Sequence, residues 1–343
     1  MSLLRSTDRG LYCEAADVFV DPWAPVERAV VTHAHGDHVA WGCAAYLTSA
    51  PGAGVLRARL GPDATIQSLE YGATIDRHGV RISLHPAGHI LGSAQVRLEL
   101  RGEVTVVSGD YKTEPDRTCA AFEPLRCNTF VTESTFGLPI YRWRPEDELF
   151  AEINQWWRGN RDAGRASLLF GYALGKAQRV ISGLDPAIGP ILTHGAVEKM
   201  TEVYRAAGVA LPPTTHAAAV GRPPAGAIVV APPSADGSPW ARRFGAASTA
   251  FASGWMQVRG ARRRQSVDRG FALSDHCDWP GLLGAIAATG ASEVWVTHGY
   301  TAVVERWLVE HGVRARAVAT RFEGGQEDEE TDRPPAPGPT EDA

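Results

Sequence analysis

An α/β protein whose first, strand-rich domain is interrupted by a second α/β unit is what the 343 residues predict. Three observations carry this. Short β-branched runs crowd the first 135 or so residues, strand and helix patterns alternate after Arg144-Pro145, and a βαβ rhythm resumes near residue 269.

Residues 29–31, 80–84, 95–100, 104–107 and 130–132 read as strands. The alternation in SAQVRLEL and the Arg101-Gly102 turn behind it predict antiparallel hairpins, so the sheet is not purely parallel. Pro145-Glu-Asp-Glu then opens a helix through Trp157, with acids in the first turn complementing the helix dipole. Strands follow at 167–172, 227–231 and 249–253, with helices at 176–184 and 197–207. Beyond them come an extended GFALSDH (270–276), a helix from Pro280, the strand EVWVTHG (293–299), a helix at 301–310 and a strand at 314–319. The expected division is 1–145 for the first part of the outer domain, 146–268 for the insertion and 269–321 for the rest. An acidic, proline-rich tail at 322–343 is expected to be disordered.

Hydrophobic residues at 44% and charged residues at 21% suit a soluble globular protein. No stretch approaches a membrane span, and MSLLRSTDRG has no charged segment leading into an apolar one, so no membrane association and a cytoplasmic location are expected. The five cysteines form no CxxC pair, and their odd number fits reduced thiols. The net charge of −5 hides an asymmetry: without its tail from residue 323 the chain holds 33 bases and 31 acids, nearly all the bases arginine. The planar arginine fork suits phosphate, although a GC-rich genome enriches arginine as well.

Residues 32 to 38 read THAHGDH, directly after an apolar run. Metal ligands must converge from rigid elements onto one point, and imidazoles and carboxylates at strand ends do this. His33 and His35, two apart on an extended segment, point the same way and can grip one ion, while Asp37 and His38 can face a second. Three later strands end in ligand-type residues: His89 in PAGHILGS, Asp110 in VTVVSGD and His298 in EVWVTHG. Taken singly, each is more often a turn or hydrogen-bonded residue; taken with THAHGDH they supply seven ligands for two ions. His85 competes with His89, and Gly88 and Gly92 favour the latter by permitting close backbone approach.

HxHxDH followed by strand-end His, Asp and His resembles the metallo-β-lactamase fold, which implies an αββα sandwich. Glu133 in TEST, His276 in LSDHCD and His298 in VTHG are similar to motifs A, B and C of the β-CASP nucleases, whose inserted domain lies between such motifs. GDYKTEPDRTC, RCNTFVTESTFGLPIYRW, SGWMQVRGARRR and GFALSDHCDWPGLL resemble bacterial ligase-associated DNA exonucleases. The resemblance covers residues 1 to about 320. It implies a phosphodiesterase with two Zn2+ ions, Mn2+ being an alternative, that acts on DNA in repair with a DNA ligase and a helicase as partners. It further implies His33, His35 and His89 on one ion, Asp37, His38 and His298 on the other, and Asp110 bridging. His276 would protonate the leaving oxygen and Glu133 would orient it, with Asp37 also in the catalytic set. Elementary chemistry agrees: two ions about 3.5 to 4 Å apart generate a bridging hydroxide and hold phosphate oxygens, and a histidine held by a carboxylate can protonate a departing alkoxide.

For substrate, Lys176 at the start of a helix behind a strand is expected to take a phosphate, although ALGKAQR is not a Walker A loop. Arg259, Arg262, Arg263, Arg264 and Arg269 stand close before His276 and would track a nucleic-acid backbone. Tyr111 beside Asp110 is expected to line the site, and Trp143, Trp156 and Trp157 are either base-stacking or core residues. An RNA-processing nuclease resembling RNase J or the polyadenylation endonuclease is the nearest rival, because histidine at motif C is typical of that branch. The longer motif matches favour DNA. A lactamase or thioesterase needs no long cationic cleft, and a scaffold that had lost catalysis would lack ligands, none of which is missing.

Overall fold

The computed structural model describes residues 3–221, 224–258 and 267–320. In the first of three sheets, β1 (Arg5–Thr7), β2 (Gly10–Cys13) and β3 (Val18–Val20) form an antiparallel meander, which β4 (Arg28–Val30), β5 (Ala45–Ser49) and β6 (Ile66–Leu69) continue in parallel. In the second, β7 (Thr74–Arg77), β8 (Val80–Pro86), β9 (Ala94–Leu100) and β10 (Glu103–Val107) are antiparallel neighbours, and β11 (Thr129–Ser134) adds in parallel to β10. The chain then departs to build a third, wholly parallel sheet from β12 (Ser167–Phe170), β13 (Ile191–Thr193), β14 (Thr215–His216), β15 (Ile228–Ala231), β16 (Ser248–Ala252) and β17 (Arg269–Phe271). It returns to the second sheet beside β11 with β18 (Glu293–Gly299) and finishes at its edge with β19 (Arg314–Ala317).

Successive side chains of a strand point to opposite faces, and that two-residue period sorts the core. Val30 and Leu47 of the first sheet meet Val107, Val131 and Trp295 of the second in one buried cluster. Their neighbours Ala29 and Tyr46 face outward to α1 (Ala53–Leu60), through its Val55 and Leu56. The insertion carries α2 (Glu146–Asp162), α3 (Lys176–Ser182), α4 (Gly195–Ala206) and α5 (Pro239–Arg242). On the outer face of the second sheet, Val106, Phe130, Val294 and Val296 pack under Leu282 and Ile286 of α6 (Trp279–Thr289) and Val304 and Leu308 of α7 (Thr301–Glu310). Two sheets thus lie between two helical layers.

In the insertion, α2 begins directly after Pro145 with Glu146, Asp147 and Glu148 in its first turn. Its Leu149, Phe150, Ile153, Trp156 and Trp157, spaced three and four apart, cover Leu169, Ile228, Val230 and Ala250 of the third sheet. The opposite face of that sheet is also buried, with Leu168, Phe170, Val229 and Phe251 in their own cluster. A parallel sheet covered on both faces explains why these strands read as unbroken apolar runs rather than alternating ones. The insertion also leans on the first sheet, since Met200 and Tyr204 of α4 join the cluster under α1.

Of the two readings open for Trp156 and Trp157 the core one holds, with indole N–H groups donating to Ser248 Oγ and to the Gly226 carbonyl. The extended reading of 270–276 holds only for Gly270 and Phe271, which with Arg269 form β17 beside β16, so the third sheet runs three residues past the boundary expected at 268. Residues 272–278 instead form the loop that carries His276. The tail at 322–343 lies outside the described residues. No helix among the described residues is long and apolar enough to cross a membrane. Trp157→Ala should lower the unfolding free energy by roughly 3–5 kcal/mol in a denaturant titration, and a change below about 1 kcal/mol would place the ring outside the core.

Candidate metal centre

The site is built at strand ends: His33 to His38 follow β4, His89 follows β8, Asp110 follows β10, Glu133 lies near the end of β11 and His298 near the end of β18. The turn holding His89 depends on two glycines in the left-handed region. A Cβ on Gly88 (φ +76) would lie 2.3 Å from the Lys112 carbonyl oxygen, and one on Gly92 (φ +78) 2.1 Å from Gly52 Cα. His85 faces elsewhere, between Ser83 Oγ at 3.1 Å and Glu123 at 3.3 Å.

His33 Nε2 and His89 Nε2 each lie 3.1 Å from His35 Nδ1, and Asp110 Oδ2 lies 3.4 and 3.9 Å from those two Nε2 atoms. Four donors on a tetrahedral ion at 2.0–2.1 Å stand about 3.4 Å apart, so these four fit one ion. His38 Nε2 is 3.3 Å from Asp37 Oδ2 and 3.4 Å from the same Asp110 Oδ2, and His298 joins His38 and Asp110 in a second group. One carboxylate oxygen therefore faces both sets.

The hydrogen bonds on the far side of each ring decide where the lone pairs point. His35 Nε2 donates to the Leu174 carbonyl, His89 Nδ1 to the Asp275 carbonyl and His38 Nδ1 to Asp21 Oδ2 at 2.7 Å. The Thr32 hydroxyl gives its hydrogen to Asp21, so toward His33 Nδ1 it can only accept. The Thr297 hydroxyl likewise donates to the Thr132 carbonyl and accepts from His298 Nδ1. With the rings neutral, the five remaining ring nitrogens are acceptors turned inward, and the buried Nε2 atoms of His38 and His298 have no hydrogen-bond partner. This donor set fits divalent cations held by imidazole and carboxylate.

Electrostatics agree. Burial pulls the pKa of His33 and His35 down, and burial together with His276 takes His89 to about 3, leaving the neutral rings that metal ligation requires. Burial also opposes a charge on His38, but Asp37, Asp110 and Asp21 overcome it and lift that group well above its ordinary value. Burial would raise the Asp110 carboxyl; His38 and His276 outweigh it and hold it well below the usual carboxylate range. The pocket draws positive charge. His298 sits at φ +47, a strained setting for a residue other than glycine.

Beside the cluster, His276 Nδ1 rests on Glu133 at 2.9 and 3.0 Å, and Glu133 Oε1 also accepts from the Tyr111 amide. Burial alone would depress His276; Glu133 and Asp110 reverse this and raise it to about 10. Its Nε2 is therefore a protonated donor at neutral pH.

Lys176 does not stand free for a phosphate. It is wholly buried, with Nζ 2.5 Å from Asp275 Oδ1 and 3.2 Å from the Leu273 carbonyl. One turn on, the Arg179 guanidinium grips Asp116 and the Ser274 carbonyl. The insertion thus clamps the 273–276 loop, and Lys176 acts through Asp275, whose own carbonyl orients His89. Tyr111 is a packed aromatic rather than a cleft residue: its ring is fully buried and its hydroxyl lies 3.0 Å from Thr132 Oγ1. Arg259, Arg262, Arg263 and Arg264 lie outside the described residues, while Arg269 is exposed with its guanidinium 5.3 Å from the Phe271 ring. Asp21 and Asp275 were not singled out from sequence. Nothing local marks either one, because their partners lie 11 to 186 positions away.

No family model matches the chain. It is 33% identical over 314 residues to a "Probable DNA ligase" of Opitutus terrae, an alignment covering 90% of this chain and 30% of that protein. It is 34% identical over 122 residues to the endoribonuclease YSH1 of Saccharomyces cerevisiae, 35% of this chain and 15% of the other, and 31% identical over 144 residues to ysh-1 of Neurospora crassa, 40% and 16%. The chain thus spans less than a third of the length of each of these relatives. A solved structure of a protein of unknown function from Enterococcus faecalis shares the fold, with a TM-score of 0.57 at 10% identity over 86% of this chain and 80% of that one.

Asp21→Asn should weaken metal binding about 10- to 100-fold in competition with a chromogenic chelator, and parental affinity would show that its bond to His38 is idle. Lys176→Met leaves Asp275 buried without its partner and should cost roughly 3–5 kcal/mol of stability in denaturant unfolding; a parental unfolding curve would argue against the clamp.

Proposed function

Because this chain resembles the β-CASP nucleases of the metallo-β-lactamase fold, we propose that it is a metal-dependent phosphodiesterase that degrades nucleic acid, DNA foremost, as an exonuclease in repair. The observation that carries the reading is the convergence of five inward imidazole lone pairs and two carboxylates beside a protonated histidine. His33, His35, His89 and Asp110 would hold one ion, and Asp37, His38, His298 and the same Asp110 the other. Zn2+ is the first choice for both and Mn2+ is chemically compatible. Such a pair supplies an activated water and neutralises the phosphate.

The chain's own residues do the rest. Glu133 holds His276 by Nδ1, so that Nε2 can present its proton to the departing sugar oxygen. Fixing both groups in a buried setting keeps the acid loaded at neutral pH and spares the reaction the reorganisation that loose side chains would need. Lys176 and Arg179 hold the loop that delivers His276. Backbone contacts to the substrate are left to the arginines at 259–264 as a proposal from sequence.

DNA is favoured by the relative named as a DNA ligase, which aligns with 90% of this chain, and a DNA ligase or helicase would be a natural partner. The second reading, an RNA endonuclease, is favoured by the likeness to YSH1, although that covers 35% of this chain. Purified protein incubated with end-labelled DNA and RNA, single- and double-stranded, with and without chelator, separates them. Chelator-sensitive shortening of DNA from an end is expected; cleavage of RNA alone would establish the second reading, and no cleavage would end both. His276→Ala should keep its metals and lose most activity, and an unchanged rate would remove it as the proton donor. Against the effect of burial, the Glu133 carboxylate lifts His276 above its ordinary value, so the acid form should persist through neutral pH and kcat/KM of the parent should fall only on the alkaline side; a fall centred at the ordinary imidazole value would contradict the assignment.

A further inference from the structure

Resting on that reading, we propose that the half-buried rings of Trp255 and Tyr300 form the seat for the base of the nucleotide whose oxygen departs at His276. The two arrive from different parts of the fold. Trp255 sits in the turn after β16 of the insertion, and Tyr300 lies between β18 and α7, two residues past the metal-facing His298. Their ring centroids are 6.4 Å apart, over a floor of Phe136 and Tyr141, which are buried. Phe136 lies 4.7 Å from Trp255 and 5.9 Å from His276. Trp143 closes the group at 4.8 Å from Phe136, and its indole N–H donates to the His276 carbonyl. The cluster depends on Gly254, where a Cβ would meet the Phe136 ring at 2.4 Å.

An aromatic wall against a polar, charge-drawing centre needs an occupant that is ionic on one side and flat and apolar on the other. A nucleotide is both. The group that His276 protonates is by definition on the leaving side, so the sugar and base attached to that oxygen extend past Phe136, the ring beside His276, to the Trp255 and Tyr300 rings beyond it. Aromatic stacking accepts any base, because every base presents a π-face, and it suits an enzyme that must remove one nucleotide after another. This replaces Trp156 and Trp157, which the core consumes, as the stacking residues. It also makes the seat a joint product of the insertion and the outer domain.

The test compares an oligonucleotide with its twin made abasic at the first or second position from the attacked end. The metal-loaded parent should cleave the base-bearing DNA about tenfold faster in kcat/KM, and Trp255→Leu and Tyr300→Leu should bring that ratio toward one. A second measurement does not depend on turnover. On metal-loaded His276→Ala protein, 2-aminopurine at the same positions should be quenched several-fold, and the two leucine substitutions should restore its fluorescence. Variants that slow both substrates alike while keeping the tenfold ratio would show that the rings only support the fold, and the proposal would be overturned. A parent indifferent to the missing base overturns it equally. A parent that cleaves no DNA or RNA at all removes the nuclease reading, and this inference with it.

Discussion

Lone pairs and carboxylates aimed at one another inside a protein repel unless positive charge lies among them, and the outer domain is arranged around that requirement. The inward nitrogens of His33, His35, His38, His89 and His298 and the Asp110 oxygen are held in place by groups behind them, not by contacts with each other. Thr32, Asp21 and Thr297 spend their own hydrogen-bonding capacity so that each ring has one possible tautomer. Preorganisation of this kind means that the cations do not have to gather their ligands. In the proposed function the fold has already done so, and the mutual repulsion of these groups would be relieved on loading.

The insertion takes part in the same arrangement. Lys176 and Arg179 of α3 fix the loop of Asp275 and His276, Leu174 receives His35, and the Tyr204 hydroxyl accepts from the Leu91 amide two residues from His89. Ligands that belong to the outer domain by sequence are thus oriented by residues of the inner one. A shift of the insertion would be felt at the candidate metal centre through packed atoms, by way of the clamped 273–276 loop and the Leu174 carbonyl.

Much of the site was legible because ligand chemistry leaves a local mark. THAHGDH packs its donors into one turn, and His89 announces itself over His85 by the glycines that let its turn approach Lys112 and Gly52. What escaped the sequence is what depends on distant partners. Lys176 resembles a helix-start phosphate ligand until Asp275, 99 residues on, is seen to hold it. Asp21 is one aspartate among many until Thr32 and His38 come to lie on it. In α2 the three-and-four spacing of Leu149, Ile153, Trp156 and Trp157 builds one buried face, and that periodicity decides between the stacking and core readings of its tryptophans. The short N-terminal strands β1 to β3, three or four residues each, were too brief to show a pattern.

The pairing of β11 with β18 joins stretches of chain that synthesis separates by more than a hundred and fifty residues, with the whole insertion made in between. His276 and His298 emerge after all the other residues of the site. A ribosome-bound intermediate can therefore own the first imidazole group and still lack His276, the proposed proton donor, and His298, the last residue of the second group. Such long-range closure is slow to form, and under the proposed function it would make hydrolytic competence the final event of folding, so that an unfinished chain would be a harmless one.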